Sequence, residues 1–171
     1  MLARRTLLGA GLGAALVAVP MSARAGTTSS EADLEARVGE VRYSEAEWRS
    51  KLTPEQYEVL RRAATERRWT SALNYEKREG TFKCGGCGSP LFNSSAKYES
   101  GSGWPSFWQP LPGAVTEVTD RDFFMVRTEI RCAKCHGHLG HVFDDGPAPT
   151  GLRYCMNGVA LAFEPKDGTA A

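Results

Sequence analysis

The residues best suited to chemistry in this chain are its cysteines and histidines. Cysteine occurs 5 times and histidine 3 times in 171 residues. Four of the cysteines form two C-x-x-C pairs, Cys84-Gly85-Gly86-Cys87 and Cys132-Ala133-Lys134-Cys135. Two residues between cysteines let both thiolates turn toward one metal ion, and two such pairs complete a tetrahedral all-sulfur shell. Zinc suits that shell, and iron held as in rubredoxin also fits by ligand type. A shell closed by four thiolates leaves no position open to substrate. A single ion there would be structural, pinning two distant loops. Two disulfides, or redox-active C-x-x-C pairs, are the competing readings of the same spacing.

The fifth cysteine, Cys155, stands outside this pattern in Arg153-Tyr154-Cys155-Met156-Asn157, after a Gly/Pro-rich loop. A lone cysteine is commonly a small buried apolar residue, but the surroundings here suggest more. Arg153 would favour a thiolate. All the histidines, His136, His138 and His141, fall in one short stretch. A thiolate beside imidazoles is the composition of nucleophilic catalysis with a proton donor at hand. In a regular strand His138 and His141 would face opposite ways, and a bend at Gly140 would bring both to one site. The alternative for each histidine is a surface or hydrogen-bonded core position. Gly101-Ser102-Gly103-Trp104-Pro105-Ser106-Phe107-Trp108 is a glycine-bracketed aromatic loop. It offers a wall for a small apolar group such as a thioether methyl, or else a plug for the core.

These residues need a scaffold. Ser44 with Glu47, and Thr53-Pro54-Glu55-Gln56, read as capping boxes that open short helices at about 44–51 and 54–64. Tyr57, Leu60 and Ala64 share the second helix's apolar face. From Trp69 onward glycines and prolines recur between short apolar runs: 81–83, 90–92, 115–118, 123–130, 141–143 and 161–163. These read as strands joined by turns, so the body is mainly β with antiparallel connections.

The first 25 residues read as a secretory leader. Arg4 and Arg5 precede the uncharged apolar run 7–19, and Ala23-Arg24-Ala25 supplies a cleavage site before Gly26. The paired arginines resemble a twin-arginine signal, with an ordinary secretory signal as the alternative. Residues 26–42 read as a linker and 43–167 as one domain. Taking Arg4, Arg5 and Arg24 from the 21 basic residues leaves 18 against 20 acidic ones. That balance points to no nucleic-acid partner, and after the leader no apolar run is long enough to span a bilayer. The expected location is outside the cytoplasm, in a bacterial periplasm.

Several motifs resemble the type B methionine sulfoxide reductases. They are Leu52-Thr53-Pro54-Glu55-Gln56-Tyr57, the loop Ser100 to Phe107, Met125-Val126-Arg127-Thr128-Glu129, His138-Leu139-Gly140-His141-Val142-Phe143, and Gly151-Leu152-Arg153-Tyr154-Cys155-Met156-Asn157. The resemblance runs from about 43 to 165. It implies two antiparallel sheets arranged like a tent, short N-terminal helices, and one zinc ion held by Cys84, Cys87, Cys132 and Cys135. It makes Cys155 the nucleophile, His138 and His141 the imidazoles for the substrate oxygen and its proton, and Arg153 and Asn157 polar catalytic residues. Trp104 and Phe143 would line the substrate. The implied substrate is the R epimer of methionine sulfoxide, free or in a protein. Cys155 would attack the sulfoxide sulfur and be left as a sulfenic acid. Ser102 stands where many family members carry a resolving cysteine, so an external thiol donor of thioredoxin-like type would have to restore Cys155. A second departure is Trp69-Thr70-Ser71-Ala72-Leu73, where members often carry Phe-Ser/Thr-Gly, in a loop near the site. A monomer is expected. The competing functions are a thiol–disulfide oxidoreductase, which predicts reducible disulfides and no metal, and a zinc-pinned binding module, which predicts no nucleophile.

Overall fold

A computed structural model of the chain describes residues 39–121 and 126–168. The leader and most of the linker lie outside the described residues, as does the start of the strand expected at 123–130. The described residues open with two short helices, α1 (Glu45–Lys51) and α2 (Pro54–Arg62). Both expected capping boxes form. The Ser44 and Thr53 side chains accept from the N3 backbone amides, and Glu47 and Gln56 accept from the cap amides in return. These bonds satisfy amides that a helix start otherwise leaves open. Ala63, in the left-handed region at φ 55°, ends α2. The apolar face of α2 buries Tyr57, Val59 and Leu60.

Nine strands follow among the described residues: β1 (Gly80–Cys84), β2 (Pro90–Asn93), β3 (Lys97–Tyr98), β4 (Ser106–Phe107), β5 (Val115–Asp120), β6 (Arg127–Cys132), β7 (His138–Phe143), β8 (Arg153–Met156) and β9 (Leu161–Pro165). They make two antiparallel sheets, β2-β1-β9 and β3-β4-β8-β7-β6-β5. The mainly β architecture with short N-terminal helices is the one expected. An aromatic cluster joins the sheets. Phe107 of β4 stacks on Phe92 of β2 with centroids 4.3 Å apart and meets Phe82 of β1 edge-on at 4.9 Å. All three are fully buried, which removes most of their apolar surface from water. Among the described residues no helix is long and apolar enough to cross a membrane.

The two C-x-x-C segments fold into matching turns. In the first, Cys84 O accepts from Gly88 N and Cys84 N donates to Ser89 O, both at 2.8 Å. In the second, Cys132 O accepts from His136 N and Cys132 N donates to Gly137 O, both at 2.9 Å. Each turn needs a left-handed residue four positions after its first cysteine, supplied by Gly88 (φ 73°) and His136 (φ 57°). Leu60 of α2 wedges between the turns. A Cβ at Gly86 would lie 3.4 Å from its Cδ1, and one at Gly137 would lie 3.0 Å from its Cδ2.

Candidate active site

The matching turns bring Cys84, Cys87, Cys132 and Cys135 together. Their sulfurs all lie within 4.8 Å of one another, with Cys84–Cys135 and Cys87–Cys132 each at 3.6 Å. A tetrahedral zinc–thiolate shell with bonds of about 2.3 Å sets sulfur–sulfur edges near 3.8 Å, so the donor set fits a metal ion. No pair is at bonding distance, and all five cysteines are free. Sulfur–sulfur hydrogen bonds from Cys132 push the Cys84 and Cys135 thiols up. The same kind of contact holds Cys87 and Cys132 below the usual thiol range. Four thiols this close share protons, and a divalent cation would resolve that crowding. Cys155 stands outside the cluster.

A row of cross-strand partners builds the second site. Glu129 on β6 pairs with His141 on β7, His141 with Cys155 on β8, Cys155 with Ser106 on β4, and Ser106 with Tyr98 on β3. Directly opposed residues in an antiparallel sheet share a face, with Cβ atoms about 4.5–5.5 Å apart. Cys155 therefore has His141 on one flank and Ser106 on the other. His138 reaches the same face through a bulge. Ile130 pairs with Gly140 but Arg131 pairs with His138, so Leu139 is an extra residue on β7. That insertion cancels the odd spacing from His138 to His141, and their ring centroids lie 5.5 Å apart. Gly140 permits the close approach, because a Cβ there would run into the Cys155 carbonyl oxygen.

Carboxylates fix both imidazoles. Glu129 Oε1 lies 2.7 Å from His138 Nδ1, and Glu129 Oε2 accepts from Arg131 Nη2 at 2.7 Å. Burial works to raise the Glu129 carboxyl, but the Arg131 and His138 hydrogen bonds prevail and hold it below the usual range. Burial pulls His138 below the usual histidine range, against the pull of Glu129. Among the described residues, His138 Nε2 is buried with no hydrogen-bond partner. His141 Nε2 lies 2.9 Å from Asp120 Oδ2, which also accepts from Arg127 Nη2 at 2.6 Å. Ser102 Oγ approaches Cys155 Sγ to 3.6 Å, and Ser100 Oγ joins Ser102 Oγ at 2.9 Å and Ser106 Oγ at 2.7 Å.

The remaining expected residues surround this face. Arg153 shares it with Cys155, but its guanidinium is held by Asp145 through bonds of 2.7 and 2.8 Å. The same group lies 4.4 Å above the ring of Phe143, its cross-strand partner. Asn157 is buried and braces the backbone, its Nδ2 donating to Leu139 O at 3.1 Å and its Oδ1 accepting from Glu66 N at 3.0 Å. Trp104 donates its indole N–H to Glu66 O at 3.2 Å. The Glu66 carboxylate in turn accepts from Gly158 N at 2.6 Å and Val159 N at 2.9 Å. Glu129, Asp120 and Glu66 were not singled out from the sequence for these contacts. Glu66 meets Asn157 across 91 positions and Asp120 meets His141 across 21, so no local pattern marks either. For Glu129 there was a signal, an acidic residue inside a strand two positions before a second charged residue, Arg131.

A half-buried cysteine flanked by carboxylate-bound imidazoles, on a small β domain with a separate four-sulfur cluster, is an arrangement suited to thiol chemistry. The SelR domain family matches residues 52–165. The peptide methionine sulfoxide reductase MsrB of Agrobacterium fabrum is 56% identical over 126 residues, covering 73% of this chain and 93% of that protein. The MsrB proteins of Leptospira interrogans and Thiobacillus denitrificans are 55% identical over 126 residues and 54% over 125. They cover 73% and 72% of this chain and 96% and 95% of their own. The chain belongs to the MsrB family of peptide methionine sulfoxide reductases.

Proposed function

We propose that the protein reduces the R epimer of methionine sulfoxide with Cys155 as its only redox thiol. The observation that carries this reading is the register of β7 and β8, which sets His141 opposite Cys155, together with the bulge that adds His138 to the same face. The Cys155 thiolate attacks the sulfoxide sulfur. The sulfoxide oxygen takes a proton from His138 Nε2, a buried imidazole nitrogen without a partner among the described residues, while Asp120 holds His141 beside the thiol. The sulfur–oxygen bond then breaks. The hydroxyl passes to Cys155 as the sulfur–sulfur bond made in the attack is cleaved, so methionine leaves as the thioether, Cys155 is left as a sulfenic acid, and the substrate sulfur has gained the two electrons the thiol has lost. Trp104, anchored by Glu66, takes the substrate methyl, with Phe143 at the edge of the same face. Only one epimer sets its methyl there and its oxygen toward the imidazoles.

Ser102 supplies no second thiol, so restoring Cys155 requires two external thiols and releases water. A thioredoxin-like dithiol is the donor class proposed. Cys84, Cys87, Cys132 and Cys135 would hold one zinc ion, whose closed shell ties the β1–β2 turn to the β6–β7 turn. The leader read at 1–25 adds the proposal that the mature protein begins at Gly26 and works in the periplasm. An uncleaved chain confined to the cytosol would overturn that part.

Single-turnover reduction of each epimer without added reductant, with Cys155→Ser alongside, tests the chemistry. The expected result is one equivalent of methionine from the R epimer alone, Cys155 trapped as sulfenic acid, and no product from the variant. No turnover of either epimer by folded protein would sink the reading.

A further inference from the structure

Trp69 stands outside the machinery described so far, and three observations single it out. It is 46% exposed, one of four large hydrophobic residues that the described residues leave to solvent. Its backbone is left-handed at φ 67°, a region that bulky residues rarely enter and that concentrates at functional sites. Its backbone and its neighbours are tied to the loop at Ser102 and Gly103. Trp69 N donates to Gly103 O at 2.7 Å, the buried Asn74 Nδ2 donates to the same oxygen at 3.1 Å, and Arg68 Nη2 donates to Ser102 O at 2.9 Å. A Cβ at Gly103 would lie 3.1 Å from the Trp69 indole, so the ring rests on that glycine. Gly103 sits between Ser102, which contacts Cys155, and Trp104.

A ring that rests on Gly103, carried by a backbone fixed in a costly conformation and with its surface left to solvent, is not filling the core. We infer that Trp69 is a specificity-determining ledge at the rim of the active site, taking an apolar side chain that flanks the oxidised methionine in a polypeptide substrate. This rests on the reductase reading above and deepens it, because the ledge adds affinity for methionine sulfoxide within a chain and none for the free amino acid. Its position beside the Ser102–Trp104 loop makes it continuous with the proposed methionine subsite. An extended polypeptide entering that subsite carries its next side chains past the rim at about 3.3 Å per residue.

The test measures kcat/KM with the mature protein on free L-methionine-R-sulfoxide, on a short peptide with leucine on both sides of the sulfoxide, and on the same peptide with serine on both sides. Wild type, Trp69→Ala and Trp69→Phe are compared. In Trp69→Ala the leucine-to-serine preference is expected to fall about tenfold, the size of one lost apolar contact. Trp69→Phe should keep most of it. Equal losses on all three substrates would make Trp69 a structural residue and overturn the inference, as would an unchanged preference. Wild-type protein inactive on every substrate would instead overturn the reductase reading itself.

Discussion

Replacing Glu129 by Gln tests whether His138 delivers the proton. Glu129 is 6% exposed, and its two carboxylate oxygens meet His138 Nδ1 and Arg131 Nη2, each at 2.7 Å. Burial lowers the imidazole's hold on a proton, the carboxylate raises it, and His141 and Arg131 add smaller lowering effects. Gln keeps the shape and removes the charge. A hydrogen bond to a charged partner is worth roughly 1–1.5 kcal/mol more than a neutral one, and 1.36 kcal/mol is about tenfold in the protonated population. In the proposed mechanism protonated His138 is the active form, so the rate falls as pH rises through its titration. Without the carboxylate, burial acts unopposed and that fall begins at lower pH. The Glu129→Gln to wild-type ratio of single-turnover rates should therefore be about one-tenth at pH near 8 and climb toward one as pH falls below His138's titration. A ratio that stays flat across the range would refute the assignment and pass the proton to His141.

Ser102→Cys should restore an internal disulfide, since Ser102 Oγ already lies 3.6 Å from Cys155 Sγ. Thiol titration after one turnover should show two thiols lost where wild type loses one, and a persisting sulfenic acid would count against the geometry. Glu66→Ala removes the acceptor for Gly158 N and Val159 N. Two stranded amides should cost roughly 2 kcal/mol, a melting point lower by about 5–10 °C, and an unchanged melting point would show that water replaces the carboxylate. Cys132→Ser should abolish stoichiometric zinc, measured by elemental analysis, and lower the melting temperature steeply. Wild-type protein that stays folded and metal-free after chelation would refute a structural ion.

Legibility followed the range of each interaction. The helix starts were readable because a capping box closes within three residues, and Ser44–Glu47 and Thr53–Gln56 both formed. The cysteine pairs were readable because C-x-x-C spacing is a local device. Strands β3 and β4 were not, since two residues, as in Lys97–Tyr98 and Ser106–Phe107, carry no alternation. Their existence depends on β8 lying beside them. The site fell between these limits. Gly140 marked where a bend was needed, but the bend is a bulge at Leu139, visible only once Arg131 and Ile130 are seen to choose their partners.

The cluster and the active site also share one hairpin, which ties their fates. Cys132 closes β6, the turn through Cys135 and His136 follows, and His138 opens β7 opposite Arg131. Arg131 is the residue that grips Glu129, the orienter of His138. The sulfur-rich turn therefore sets the first residue of the bulge. Loosening it would displace the His138–Glu129–Arg131 group first and leave the His141–Cys155 pairing, further along the strands, in place. A partial loss of the turn should thus resemble Glu129→Gln in its pH dependence before it resembles unfolding.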